Sequence, residues 1–133
     1  MTVRLSSLLR RTLGLDAATC LAMGAAMTLG ALPLAGLTGL PAALLMIAGL
    51  ALFPVAGLMI WLARRQDAPA PMLWLVIGGN AGWTAASVLL LASGWVRPTL
   101  LGEVFVVVQA LGVVGLTLVE YAGLRQSRVA AVA

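Results

Sequence analysis

The stretch Ala17–Ala63, AATCLAMGAAMTLGALPLAGLTGLPAALLMIAGLALFPVAGLMIWLA, runs for 47 residues without a charged side chain. A helix crossing the hydrocarbon layer needs about 20 apolar residues. A block of twice that length predicts a hairpin of two spanning helices, because exposed backbone cannot sit in lipid. Pro33, Gly36, Gly39 and Pro41 locate the break: residues 36–41 form the turn, and Pro41 opens the second helix.

Outward from that block the pattern repeats. Residues 68–96 are again uncharged, and residues 98–122 contain only Glu103 and Glu120 as charges. Spanning helices are expected at about 14–36, 41–63, 72–95 and 98–122, packed as a single domain over residues 1–133. Residues 64–71, Arg64-Arg65-Gln66-Asp67-Ala68-Pro69-Ala70-Pro71, read as an aqueous loop. Residues 1–11, with Arg4, Arg10 and Arg11, read as a basic arm lying at the headgroups. The apolar run after Arg11 is too long for a signal-peptide core, so the first helix is expected to stay attached. The fold class is therefore all-α: a polytopic membrane protein with four transmembrane helices in two hairpins.

Composition agrees. The chain is 62% hydrophobic and 9% charged, against roughly 25% charged residues in ordinary soluble domains. Its net charge of +4 comes from arginine alone. Arg4, Arg10, Arg11, Arg64, Arg65, Arg125 and Arg128 fall at one end of the expected bundle and Arg97 at the other. The positive-inside rule then places both termini and the central loop in the cytoplasm. Trp61 and Trp74 fit a belt at the inner interface and Trp95 one at the outer. The basic charge reports orientation in a membrane; no exposed basic domain is left to bind nucleic acid. With no histidine and one cysteine, neither a histidine–cysteine metal site nor a disulfide within the chain can be built, and no cofactor is expected.

Polar residues inside the spans are few. Asn80-Ala81-Gly82-Trp83-Thr84-Ala85-Ala86-Ser87 brings Asn80, Trp83, Thr84 and Ser87 onto one helical face. Gln109, on the neighbouring antiparallel helix, comes to a similar depth, within reach of Thr84 or Ser87. Polar residues facing one another in a bundle act as interhelical glue, each bond contributing about 0.6–2 kcal/mol. The same set could line a ligand pocket with Trp83 below it and Met23, Met27 and the Pro54 bend beside it. A track of Glu120, Asn80, Gln109 and Ser87 would then run from the cytoplasmic edge past the membrane centre.

The four acids are assigned to edges. Asp67 belongs to the aqueous loop. Asp16 and Glu120 are expected at the inner edge, paired with Arg10, Arg11, Arg64 or Arg125, and Glu103 at the outer edge, paired with Arg97. None is expected at the midplane, where an ionisable side chain by default marks a functional path. On the first helix Ala18, Ala22, Ala26 and Gly30 make a small-residue face suited to close helix approach, and Asp16, Cys20, Met23 and Met27 make a second face.

Asn80-Ala81-Gly82-Trp83, Gln109-Ala110 and Glu120-Tyr121-Ala122-Gly123-Leu124-Arg125 resemble motifs in a group of short four-helix proteobacterial inner-membrane proteins. Those proteins carry an Asn-x-x-Trp in helix three and a Gly-Leu-Arg exit. The resemblance implies architecture and location and supplies no reaction. No nucleophile–base pair is visible, so the expected function is non-enzymatic: a bundle that self-associates or joins a larger membrane complex as an accessory subunit. The alternative is a carrier or channel for a small solute along Asn80, Trp83, Ser87 and Gln109.

Overall fold

The computed structural model describes residues 1–132, with side chains through Arg128. A short strand β1 (Thr2–Arg4) precedes α1 (Ser7–Leu29) and α2 (Ala31–Thr38), followed by α3 (Ala42–Ala63), strand β2 (Asp67–Pro69), α4 (Ala70–Ala92) and α5 (Leu100–Val132). Four of the helices, α1, α3, α4 and α5, are long and apolar enough to cross a membrane. Large apolar side chains stand exposed around the outside, among them Leu32, Ile47, Leu75, Leu89, Val108 and Leu111. Lipid is the solvent that such a surface requires, and the protein is a small multi-pass membrane protein.

The element bounds depart from the sequence reading at both ends. The basic arm is ordered: β1 pairs antiparallel with β2, Val3 opposite Ala68, and both of these are buried. What reads as a loop at 64–71 thus contains a strand. Helix α1 starts at Ser7, well before residue 14, because the Ser6 hydroxyl accepts from the Leu9 amide and caps the first turn. The expected 14–36 helix is two helices, broken at Gly30. Gly39, at φ +71°, ends α2 in the left-handed conformation that glycine adopts at no steric cost. The helix expected at 98–122 starts at Leu100 and runs on past Gly123-Leu124-Arg125 to Val132.

Each hairpin packs as a pair, α1 with α3 and α4 with α5, and α1 joins the two by packing on α5. By contrast α3 and α4 scarcely touch. The α1–α3 crossing lies at Gly24 and Gly49: a Cβ on Gly49 would stand 2.9 Å from the Met27 Cβ, and one on Gly24 would stand 3.0 Å from the Gly49 carbonyl oxygen. The expected close-approach face is not used in this way, since Ala18, Ala22 and Ala26 are exposed.

Two knots tie the hairpins together at opposite ends. At one, the Ser6 amide donates to Ser127 Oγ (2.9 Å), while the hydroxyls of Ser6 and Ser127 both donate to the Gly123 carbonyl. At the other, the Thr99 amide and hydroxyl donate to the carbonyls of Thr38 (2.9 Å) and Leu37 (2.7 Å), satisfying the last turn of α2. Gly102 lies so close to the Thr38 carbonyl oxygen that a Cβ there would collide with it. The first knot shares its end of the bundle with the paired strands. Arg10 donates from Nε to the Ala63 carbonyl at 3.0 Å, Arg65 stacks on Trp61, and Arg128 lies over Trp74.

Candidate functional site

The polar residues inside the bundle fall into two groups of different character. The first is the set singled out from the sequence. Trp83 Nε1 donates to Gln109 Oε1 at 2.6 Å, Gln109 Nε2 donates to Ser87 Oγ at 3.0 Å, and the Ser87 hydroxyl donates to the Trp83 carbonyl at 2.9 Å. The chain of bonds closes on itself, and it ties α4 to α5. Thr84 stands outside it, its hydroxyl returned to the Asn80 carbonyl of its own helix at 3.1 Å.

The second group is centred on Asn80, which is buried. Its Nδ2 donates to Asp16 Oδ2 at 2.7 Å and to Glu120 Oε2 at 3.2 Å. One primary amide has two N–H bonds, and here each is directed to a different carboxyl on a different helix. Cys20, one turn above Asp16 on α1, places its thiol 3.8 Å from Asp16 Oδ1. Asp16 is 1% exposed and Glu120 fully buried, and Glu120 Oε1 has no hydrogen-bond partner. Burying an oxygen of that kind without a donor costs about 1–3 kcal/mol.

The edge pairs expected from the sequence are absent among the described residues. The one ion pair there joins Arg4 and Asp67 at 4.0 Å, both side chains well exposed. Asp16, Glu103, Glu120, Arg97 and Arg125 take no part in it. Helix geometry explains why. Asp16 is five and six residues from Arg11 and Arg10 along α1, and Glu120 is five from Arg125 along α5; side chains meet along a helix only at separations of three or four, and Arg97 lies before α5 begins. Glu103 and Arg97 are exposed, while Asp16 and Glu120 turn inward. Asn80 stands ten residues into α4, about 15 Å along its axis.

A cavity of about 510 Å³ adjoins both groups. Asp16, Thr19, Cys20 and Met23 of α1, Leu52 to Leu58 of α3, Leu75 to Trp83 of α4 and Gln109 to Leu116 of α5 contribute to its wall, Pro54 among them. It occupies the gap that arises because α3 and α4 scarcely touch. Its exposed lining residues are Ala51, Pro54 and Val55 of α3, Leu75 and Gly79 of α4, Thr19 of α1 and Gly112 of α5; all lie along the middle of their helices, so the opening faces sideways, toward lipid. The polar atoms of the wall come from few residues, chiefly Asp16, Asn80, Trp83 and Gln109. Glu120 stands behind Asp16 and Asn80 and is not in the wall, and Met27 packs at the Gly49 crossing instead.

Sequence reasoning found Asn80, Trp83, Ser87 and Gln109, and it named the Asp16–Cys20 face, but it left Asp16 and Glu120 at the edge. The signal that could have moved Asp16 is the run Leu9, Leu13, Asp16, Cys20, Met27, a stripe of buried residues at helical spacing. An acid on the core stripe of a membrane helix faces the bundle, where a partner must be found. Comparison with family models, curated proteins and solved structures finds no match to this chain.

Proposed function

We propose that this small membrane protein is a non-enzymatic carrier of the bacterial inner membrane, binding a small solute in the cavity between α3 and α4. The observation that carries the reading is the cavity itself, with Asp16, Asn80, Trp83 and Gln109 in an otherwise apolar wall. A few hundred cubic ångströms of mostly apolar surface with a few converging polar groups is the usual form of a small-molecule site. The closed Trp83–Gln109–Ser87 loop holds the wall in shape, and Asp16 and Asn80 bring polar atoms into it. The arginine distribution supports an orientation with both termini cytoplasmic. A second reading, self-association or membership of a larger membrane complex, draws support from the exposed Ala18–Ala22–Ala26 face of α1.

The test uses Gly112, which lines the cavity and has open space where a Cβ would go. Gly112→Phe places an aromatic ring at the cavity wall without a backbone clash. Solutes that stabilise the purified wild-type chain in thermal unfolding, or that cross proteoliposomes containing it, should lose both effects with this variant. Equal ligand response in the Gly112→Phe variant refutes the carrier reading. A periplasm-dependent reporter fused after Arg128 should be silent, and activity there refutes the orientation.

A further inference from the structure

We propose that the solute is a monovalent organic cation with an apolar body, its charged head seated against Asp16 and Asn80 with Glu120 behind them. The inference rests on the cavity being a ligand site and names the class of ligand.

The charge around the cavity is one-sided. The titratable groups at the cluster are Asp16 and Cys20 from α1 and Glu120 from α5, while α4 brings the neutral Asn80 and the facing part of α3, Leu52 to Leu58, is wholly apolar. No arginine joins them among the described residues: Arg10 is bonded to the Ala63 carbonyl, and Arg11 and Arg125 are exposed. Two carboxyl groups share the two hydrogens of one amide, and a carboxyl oxygen remains buried without any donor. A buried acid pair in low dielectric calls for a positive charge or a proton. Among the described residues the protein supplies no cation there, so a ligand that brings one meets that demand.

The rest of the cavity decides which cation. Asp16, Cys20 and Glu120 do not close into a set able to hold a metal ion, and a volume of about 510 Å³ with an almost entirely apolar wall is far too large and too dry for an inorganic ion. It fits an aryl or alkyl body attached to an ammonium head. Trp83, its indole nitrogen anchored on Gln109, offers an aromatic surface in the same wall for such a body or for the cation itself. The sideways opening admits a molecule already dissolved in the bilayer, and amphiphilic cations partition there.

The test compares phenethyltrimethylammonium with (3,3-dimethylbutyl)benzene, which has the same shape with carbon in place of nitrogen and no charge. Binding is measured to the full chain in nanodiscs of zwitterionic lipid, with empty nanodiscs subtracted. The cation should bind saturably at one per chain and at least tenfold more tightly than the isostere. Asp16→Asn and the double variant Asp16→Asn/Glu120→Gln should abolish that preference, and Gly112→Phe should abolish specific binding of either probe. Equal binding of the two probes, sensitive to Gly112→Phe, overturns the cation assignment and leaves the cavity reading standing. Retention of the preference by the Asp16→Asn variant, which reports alone if the double variant does not fold, also overturns the assignment. Saturable binding of neither probe to the wild type, or binding indifferent to Gly112→Phe, overturns both.

Discussion

Replacing Asn80 with leucine tests whether the acid–amide cluster holds the bundle together. The substitution removes the hydrogen bonds of 2.7 Å to Asp16 and 3.2 Å to Glu120 and leaves both carboxyls facing a hydrocarbon side chain. An unsatisfied buried acceptor costs about 1–3 kcal/mol. Hydrogen bonds between membrane helices average closer to 0.6 kcal/mol, because the unfolded chain in lipid also finds partners. Asn80 bridges three helices, so the expected loss is about 1–3 kcal/mol, read from unfolding of the purified protein by sodium dodecyl sulfate with tryptophan fluorescence. Two comparisons isolate the cause. Thr84→Ala removes a hydroxyl that bonds only to its own helix and should stay within about 0.5 kcal/mol of wild type. In the Asp16→Asn/Glu120→Gln background, where neutral amides can bond to one another, Asn80→Leu should cost less, with a coupling of about 1 kcal/mol or more. A cost for Asn80→Leu no greater than that of Thr84→Ala, or a coupling of zero, refutes the cluster as a structural junction.

Other outcomes follow from the packing. Gly49→Ala drives a methyl to within 2.9 Å of the Met27 Cβ and 3.0 Å of the Thr28 Cγ2 and should destabilise by about 1–3 kcal/mol, whereas Gly57→Ala on the same helix, with open space around it, should be neutral or stabilising in the same titration. Gly102→Ala should lower the thermal unfolding midpoint, because its methyl collides with the Thr38 carbonyl oxygen. An unchanged midpoint would contradict the described knot between α2 and α5. Trp83→Phe keeps an aromatic ring but leaves Gln109 Oε1 without its donor. It should cost about 1 kcal/mol in the detergent titration, and the cost should vanish when Gln109 is also replaced by leucine.

Much of the fold is legible because the bilayer imposes so few solutions. An uncharged block of 47 residues can only cross twice, and the α3 reading of 41–63 agrees with Ala42–Ala63 to within a residue. Helix ends at the water interface are less legible. There the cap depends on single hydroxyls, and residue 7 begins a helix because Ser6 caps it, not because of any periodic signal. The pairing of β1 with β2 joins residues more than sixty positions apart and leaves no local trace. Within the site, the Trp83–Gln109–Ser87 contact follows from one helix face and an estimate of depth. Asp16 and Glu120 are harder, because proximity in sequence to Arg11 and Arg125 suggests partners from which the helix turn rotates them away. The small-residue rule misleads in a similar manner: it picks the alanine series of α1, while the crossing is made by the single pair Gly24 and Gly49.

The knot between Ser6 and Ser127 bears on how the protein is made. A chain synthesised from its N-terminus inserts α1 and α3 long before α5 exists, so Asp16 enters the bilayer with neither Asn80 nor Glu120 to meet it. The Ser6 amide likewise waits for the last turns of the final helix before Ser127 can accept from it. Assembly is therefore obliged to run as two hairpins that dock late, with an acid-bearing and incompletely satisfied first half held in the membrane meanwhile. Truncation before Gly123, or a delay in delivering α4 and α5, would leave that half for quality-control proteases to find.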